Sequence, residues 1–91
     1  MHRPGRLSTT HKLDVTATSA QTAAFAAQTK WVRVAVNTDC YVALGANPTA
    51  VTTNTLMPAH SVDYLQVSPG EKLAFVRDSA DGDATVTELT A

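Results

Sequence analysis

The clearest pattern in this chain is a strict alternation of residue types between Trp31 and Val36. Val32, Val34 and Val36 are two residues apart, so an extended strand points all three side chains to one face. The residues between them, including Trp31, then point to the opposite face. Alternating β-branched residues of this kind indicate a half-buried strand of an antiparallel sheet.

Further short strands follow, separated by turn-forming residues. The strongest turn signal is Ser68-Pro69-Gly70-Glu71, because proline presets the first central position of a type II turn and glycine supplies the positive φ of the second. We also expect the segment at 40–44 to pair with the 31–36 strand as a hairpin across Asn37-Thr38-Asp39. Six or seven strands are predicted, at residues 11–18, 31–36, 40–44, 56–57, 62–67, 72–77 and 84–89. Their spacing predicts an all-β fold, a small single-domain antiparallel β-sandwich or jelly-roll-like barrel with a flexible N-terminal arm.

Two stretches lack this alternation. Residues 19–29 are rich in Ala, Gln and Thr, which favours an irregular or extended segment, with a short helix as the alternative because Ala is the best helix former. Residues 46–55 are uncharged and rich in threonine, which is typical of an exposed loop whose hydroxyls bond their own backbone. Pro58 permits only an edge strand or a strand end before it.

Charge is distributed unevenly along the chain. Arg3, Arg6 and Lys12 lie among the first thirteen residues, which contain no acid, whereas the last fourteen contain four acids and no Lys or Arg. Residues 1–12 are therefore predicted to form a flexible basic arm, followed by a single β domain at 13–91. The two ends are favoured to be solvated, with ion pairing between neighbouring subunits as the alternative, since exposed ion pairs contribute only ~0–1 kcal/mol.

The composition suggests a domain that gains stability from association. Hydrophobic residues make up 44% of the 91 residues but aromatics only 5%, so the core is built from side chains that each bury little area. We therefore expect a homo-oligomer, with a trimer as the expected state, that buries some of Trp31, Tyr41 and Tyr64. The same three aromatics are alternatively candidates for a carbohydrate-stacking surface.

No pattern in the sequence indicates a catalytic site. The three histidines are scattered, and no serine carries a nucleophile motif. The acids around Gly82 lack the spacing of a calcium loop and indicate a turn instead. Cys40 alternates with Val42 and is interpreted as a small buried hydrophobe. We therefore expect no enzymatic activity, no catalytic residue, no metal site and no cofactor.

Targeting signals are also absent from the sequence pattern. No apolar run approaches the ~20 residues of a membrane-spanning helix. The basic residues at the start are not followed by the hydrophobic region of a secretory signal. Membranes and nucleic acid are therefore not expected partners, and synthesis in a reducing cytoplasm is expected.

Several short segments follow one another in a recognisable order. They are Trp31-Val32-Arg33-Val34, residues 38–45, residues 47–50, Leu56-Met57-Pro58-Ala59, Val62-Asp63-Tyr64 and residues 67–73. Their order resembles that in small virion proteins encoded near the head genes of tailed bacteriophages. The resemblance covers residues 30–77, about half of the chain, and rests on the order of the segments more than on any one of them. The basic arm has no counterpart in the pattern.

The resemblance implies a structural role. Proteins of this kind are capsid decoration, cement or head-fibre components, often trimers, which bind and stabilise the lattice of the major capsid protein. The expected location is the capsid surface of a virion made in the host cytoplasm. The expected partners are the major capsid protein and further copies of the chain. The alternative is a tail- or fibre-associated module that recognises a host-surface glycan. The residues predicted to bind partners are Arg3, Arg6, Lys12, Trp31, Tyr41 and Tyr64.

Overall fold

A computed structural model describes the backbone of residues 6–90 and the side chains of residues 8–89. Within this range the chain is all-β and contains no helix, which confirms the predicted fold class. Eight strands are present: β1 (Arg6–Val15), β2 (Ala20–Gln21), β3 (Trp31–Val36), β4 (Cys40–Gly45), β5 (Thr55–Met57), β6 (Val62–Gln66), β7 (Lys72–Arg77) and β8 (Gly82–Thr90).

The strands form two four-stranded sheets in which every pairing is antiparallel. The first sheet has the order β1-β8-β3-β6, and the second has the order β2-β7-β4-β5. The two sheets bury their inner faces against each other in one hydrophobic core, as a β-sandwich requires. The edges of the first sheet are β1 and β6, and those of the second are β2 and β5.

The core contains the alternating valines that dominate the sequence pattern. Val32 and Val34 are completely buried, and they face Leu73 and Phe75 of the second sheet within one cluster of buried residues. Phe75 is the largest fully buried side chain. Because each buried side chain contributes about 25 cal/mol per Å² of apolar area, this single aromatic residue contributes more than any of the valines.

The predicted hairpin between β3 and β4 is wrong. β3 lies in the first sheet between β8 and β6, whereas β4 lies in the second sheet between β7 and β5. The chain at residues 37–39 therefore crosses from one sheet to the other. Apolar residues alternate with the same period whether two strands form a hairpin or lie in different sheets, since in either case each strand points one face toward the core. The pattern consequently predicts the two strands but not which sheet each one joins.

The first strand starts earlier than the sequence pattern predicts. β1 begins at Arg6 and pairs with β8 over most of its length, so residues 6–12 belong to the sheet. This corrects the boundary between arm and domain, which the sequence places after residue 12. The physical reason is that β1 is an edge strand whose outward residues are polar, as Lys12 is, so apolar alternation is weak there. Residues 1–5 of the predicted arm lie outside the described range.

The turns agree well with the residues that form them. Gly70 has a φ of 85°, and the Glu71 N–H donates to the Ser68 carbonyl at 3.1 Å, which confirms the predicted type II turn. Residues 22–30 form no regular element, which confirms the irregular interpretation of that stretch. The predicted loop before β5 is mostly exposed, but Ala50 within it is buried against the outer face of the second sheet.

Candidate functional site

The structure distributes the predicted partner-binding residues over two faces. Trp31 on β3, Tyr64 on β6 and Lys12 on β1 all point outward from the first sheet, since their strand neighbours point into the core. Tyr41 on β4 points outward from the second sheet, on the opposite side of the sandwich. A single platform made of all three aromatics is therefore not formed. Arg3 lies outside the described residues, and of Arg6 only the backbone is described.

Trp31 and Tyr64 form the centre of an exposed apolar surface, which we call the aromatic face. It consists of the outward side chains of β3 and β6 at one edge of the first sheet, namely Trp31, Arg33, Val62, Tyr64 and Gln66. Tyr64 lies directly opposite Arg33 in the register, and Trp31 lies opposite Gln66. The two aromatic residues are thus diagonal neighbours on adjacent strands, about 7–8 Å apart. Trp31 is 37% exposed and Tyr64 47% exposed.

A groove of about 400 Å³ opens beside the aromatic face, between the edge strands β5 and β6. It exists because the two sheets do not close against each other along this side of the sandwich. We call it the edge groove. Val62 belongs to both surfaces, so the edge groove and the aromatic face are continuous. The lining residues are mostly apolar: Val42, Leu44, Thr55, Leu56, Met57, Pro58, Ser61, Val62, Asp63, Leu65, Gln66 and Leu73.

Among the residues whose side chains the structure describes, Asp63 is the only ionisable one that lines the edge groove. It occupies a position of β6 opposite Val34, whose side chain points into the core, so the carboxylate lies on the inward side of an edge strand. Its Oδ1 accepts a hydrogen bond from the N–H of Tyr64 at 2.9 Å. Among residues 8–89, no cationic group forms an ion pair with it. An inward charge of this kind protects a sheet edge from indiscriminate pairing.

The remaining predicted aromatic residue has a local structural role. The hydroxyl of Tyr41 lies 3.1 Å from Oδ1 of Asp78, and this hydrogen bond, the largest cause, raises the pKa of the phenol above its ordinary value. The ring packs against the buried cluster of Ala50, Ala74 and Val76 on the outer face of the second sheet. Tyr41 therefore fastens the 46–54 loop and the turn after β7, and it is not part of the aromatic face.

A buried polar network that the sequence analysis did not predict lies at one end of the sandwich. Glu88 points into the core and is 3% exposed. Its Oε1 accepts hydrogen bonds from the Thr29 hydroxyl at 2.5 Å and from the Ala26 N–H at 2.9 Å. Its Oε2 accepts one from Nε2 of His11 at 2.6 Å, and the His11 ring packs edge-on against Phe25. The network thus connects β1 and β8 to the irregular 22–30 segment.

These contacts determine the protonation of Glu88. Burial disfavours the charged carboxylate, but the hydrogen bonds from Thr29, Ala26 and His11 together outweigh this effect and hold the pKa of Glu88 below its ordinary value. No buried side-chain nitrogen or oxygen lacks a hydrogen-bond partner in the part of the chain described. The acceptor capacity of Glu88 is therefore used by the protein itself, which is the arrangement of a structural carboxylate.

Cys40 is completely buried, as its alternation with apolar residues predicts. Burial, with a smaller contribution from the neighbouring Asp39 carboxylate, raises the pKa of the thiol to about 11. We expect iodoacetamide at pH 8 to leave the thiol of the folded protein unmodified for hours and to alkylate it within minutes in denaturant, because only the thiolate reacts. Mass spectrometry of the two samples measures this, and rapid alkylation of the folded protein would contradict the buried position.

Other classes of site have little support in the described residues. No group of three or more His, Cys, Asp or Glu side chains comes together in a way that could hold a metal ion among residues 8–89. A helix long and apolar enough to cross a membrane does not occur between residues 6 and 90. Comparison of the chain with protein-family models, with curated proteins and with solved structures finds no match. The candidate site is therefore the continuous surface formed by the aromatic face and the edge groove.

Proposed function

We propose that this chain is a structural protein of a phage virion, which binds the capsid lattice as a decoration or cement protein and performs no catalysis. The observation that carries this proposal is the continuous exposed apolar surface at one edge of the sandwich. Soluble monomers rarely expose large contiguous apolar patches, and such patches commonly mark protein–protein interfaces. Trp and Tyr are also the residue types that contribute most binding energy at interfaces.

The arrangement of the surface suits adhesion to another protein. Trp31 and Tyr64 present two large rings on a rigid sheet, so little conformational entropy is lost when a partner covers them. Arg33 lies directly opposite Tyr64 and two residues from Trp31 on β3, and it supplies a cationic group that can bond to a partner carbonyl or carboxylate. A protein of this kind would bridge neighbouring major capsid subunits and add buried area across their joints. The sequence resemblance to phage head proteins supplies the capsid as the partner.

Basic residues are also proposed to contribute to partner binding. Lys12 is exposed on the outer face of the first sheet but lies on β1, at the edge opposite β6. Three strand spacings separate it from Tyr64, so contact with both would require a partner surface at least about 14 Å wide. Charge at this edge would steer the approach to an acidic capsid surface, and binding would weaken at high salt. Self-association into a homotrimer remains part of the proposal.

The alternative function is recognition of a host-surface glycan by a tail- or fibre-associated module. It is supported by the position of Trp31 and Tyr64 on one flat face, where a sugar ring could stack. Tyr41 cannot contribute to the same platform because it belongs to the opposite face. Only two of the three predicted aromatic residues are therefore available for this function.

Co-sedimentation with capsids tests the proposal. The probe is a capsid assembled from the major capsid protein encoded in the same phage genome. We expect the purified protein to sediment with these capsids, and the double variant Trp31→Ala/Tyr64→Ala to bind at least about tenfold more weakly, because truncation of interface aromatics typically costs about 2 kcal/mol or more. The matched control is Val51→Ala, which shortens a side chain of similar exposure (49%) on the 46–54 loop.

Two results would contradict the proposal. One is a failure of the wild-type protein to sediment with capsids at micromolar concentration. The other is equal binding by the wild type and the double variant, with the melting temperature showing that both are folded. Retention on immobilised host-surface glycan that is lost in the double variant, without capsid binding, would favour the glycan-binding alternative instead.

A further inference from the structure

The edge groove has the features of a site for an extended peptide. Val67 donates its N–H to the Lys30 carbonyl, and Val36 donates its N–H to the Ser61 carbonyl. Because backbone bonding alternates along an antiparallel pair, the odd-numbered residues of β6 bond to β3. The backbone groups of the even-numbered residues, such as Val62 and Gln66, then point to the open edge. An extended peptide recognises a sheet edge through such groups, with side chains placed in adjacent apolar pockets.

Asp63 restricts which peptide can enter. Pairing of β6 with β6 of a second copy, centred on Tyr64, would bring two Asp63 carboxylates close together on the same face, which is unfavourable. It would also compete for the Tyr64 N–H, which already donates to Oδ1 of Asp63. A segment with a cationic residue would instead pair with the Asp63 carboxylate in a groove whose described lining is mostly apolar. The groove therefore favours a basic, acid-free, extended segment over a copy of its own strand.

The chain contains one such segment outside the described range. Residues 1–5, Met-His-Arg-Pro-Gly, contain Arg3 and no acid. Pro4 disfavours helix and favours an extended backbone at Arg3 before it, and the Met1 side chain is suited to an apolar pocket. Both the charge and the backbone preference of this segment thus match the edge groove.

The reach of the segment determines which copy it can bind. Arg6 begins β1, and β1 is separated from β6 by the full width of the first sheet, about 14 Å for three strand spacings. Arg3 is three residues before Arg6, so its backbone can lie at most about 11 Å from the start of β1. This is less than the width of the sheet, so the backbone at Arg3 cannot lie along β6 of its own molecule. A groove of a neighbouring copy has no such restriction.

We propose that residues 1–5 of one copy bind in the edge groove of a neighbouring copy, with the Arg3 guanidinium paired to the Asp63 carboxylate. This exchange of arms links copies of the chain by a contact that is apolar along the groove and charged at one point. It does not rest on the proposed capsid role, since it requires only the chain itself. Each copy offers one arm and one groove, which permits a closed ring such as a trimer.

Charge exchange tests the pairing with the full-length protein. Sedimentation velocity is measured for the wild type, for Arg3→Glu, for Asp63→Lys and for the double variant that combines the two substitutions. We expect the wild type to self-associate and each single variant to associate at least about fivefold more weakly, because each replaces an attraction with a repulsion. The double variant should regain association, since every acidic arm then meets a basic groove. Asp81→Lys, which makes the same charge change in an exposed loop, is the control.

A disulfide experiment locates the contact without relying on affinity. A copy carrying Arg3→Cys is mixed under mild oxidation with a copy carrying Val62→Cys, or with one carrying Val51→Cys as the control. Val62 and Val51 are equally exposed, at 48% and 49%, but only Val62 borders the edge groove. We expect a disulfide-linked heterodimer with Val62→Cys to form at least about tenfold faster than with Val51→Cys. The buried Cys40 thiol does not interfere.

The outcomes separate this inference from the capsid proposal. A wild-type protein that stays monomeric at high micromolar concentration would overturn the arm exchange even if it sediments with capsids. Equal association of the wild type and both charge variants would overturn it as well, as would equal crosslinking to Val62→Cys and Val51→Cys. Loss of capsid binding with intact charge rescue would leave the arm exchange supported and the capsid role rejected.

Discussion

Replacing Glu88 with alanine should lower the free energy of unfolding by about 3 kcal/mol, because it removes the carboxylate acceptor of several hydrogen bonds, each of which contributes about 1.5–3 kcal/mol. The substitution leaves the buried Thr29 hydroxyl and the partly buried Ala26 N–H and His11 ring without their acceptor. A domain of this size has a total stability of only about 5–14 kcal/mol. We therefore expect a drop in melting temperature on the order of 15 °C or more, measured by circular dichroism.

The control for this variant is Asp81→Asn. It removes a carboxylate from the exposed ion pair with Arg77, and exposed pairs contribute only ~0–1 kcal/mol. Its melting temperature should stay within a few degrees of the wild type. A Glu88→Ala protein as stable as Asp81→Asn would show that the network does not stabilise the fold.

The same network predicts a dependence on pH. The pKa of Glu88 is lower in the folded protein than in the unfolded chain, where it is about 4.3. The stabilisation is therefore fully present above pH of about 4.3 and is lost as the pH falls through the folded pKa. Glu88→Gln does not titrate, so the stability advantage of the wild type over this variant should shrink with acidification. Urea unfolding at pH 7 and pH 3 measures the difference, and a constant advantage would refute the role of the charge.

Replacing Gly82 with alanine should also destabilise the protein strongly, by about 3 kcal/mol, at the upper end of the cost of overpacking. A Cβ at this position would lie 2.6 Å from Cβ and from Cγ2 of Thr38 and closer still to Oδ1 of Asn37. Neither side chain can move freely. Thr38 is buried and its hydroxyl donates to the Ala80 carbonyl, while Oδ1 of Asn37 accepts the Asp83 N–H. Relief of the clash would therefore cost hydrogen bonds.

Gly45 provides the matched control for this substitution. It also lies in a strand, and a Cβ built there meets nothing within 4 Å. Gly45→Ala should therefore change the melting temperature by no more than a few degrees, whereas Gly82→Ala should lower it on the order of 15 °C. Similar melting temperatures for the two variants would mean that the Asn37–Thr38 turn adjusts without cost.

The strands were predictable because their cause is local. Val32, Val34 and Val36 alternate, and a strand with one face in a core requires this period whatever its neighbours are. The pairing of strands was not predictable in the same way. The chain between β3 and β4 turns at Asn37-Thr38-Asp39 as expected, but it turns into the other sheet, and a turn-forming cluster is compatible with either course.

The sequence contains a signal for the buried network around Glu88, and the alternation of residues along the strands reveals it. Glu88 is two residues from Val86, so both point to the same face of β8, and His11 is likewise two residues from Leu13. A carboxylate and an imidazole at core positions of two strands predict a buried pair once the strands are known to be neighbours. That β1 and β8 are neighbours, 77 residues apart at this contact, is a property of the whole fold.

The candidate surface was predictable only in part. The alternation predicts that Trp31 points away from the face formed by Val32, Val34 and Val36, and Tyr64 alternates with Leu65 in the same way, whereas the position of Tyr41 depends on which sheet β4 joins. The edge groove depends on the strand order, because it forms where β5 and β6 are both edges. Asp63 is a local indication that β6 is an edge strand. It shares a strand face with Leu65 and Val67, and an ionised residue on such a face suits only an edge strand.

The central place of β8 in the first sheet has a consequence for how the protein is made. β1 and β3 do not pair with each other, and each pairs with β8, the last strand of the described chain. During synthesis, which proceeds from the N-terminus, β3 has only β6 as a hydrogen-bonded neighbour until β8 has been made. The first sheet therefore assembles late, after closure of a long loop that makes folding slow. Until then the nascent chain exposes a strand edge and apolar residues, so translation pauses before residue 82 should favour its aggregation.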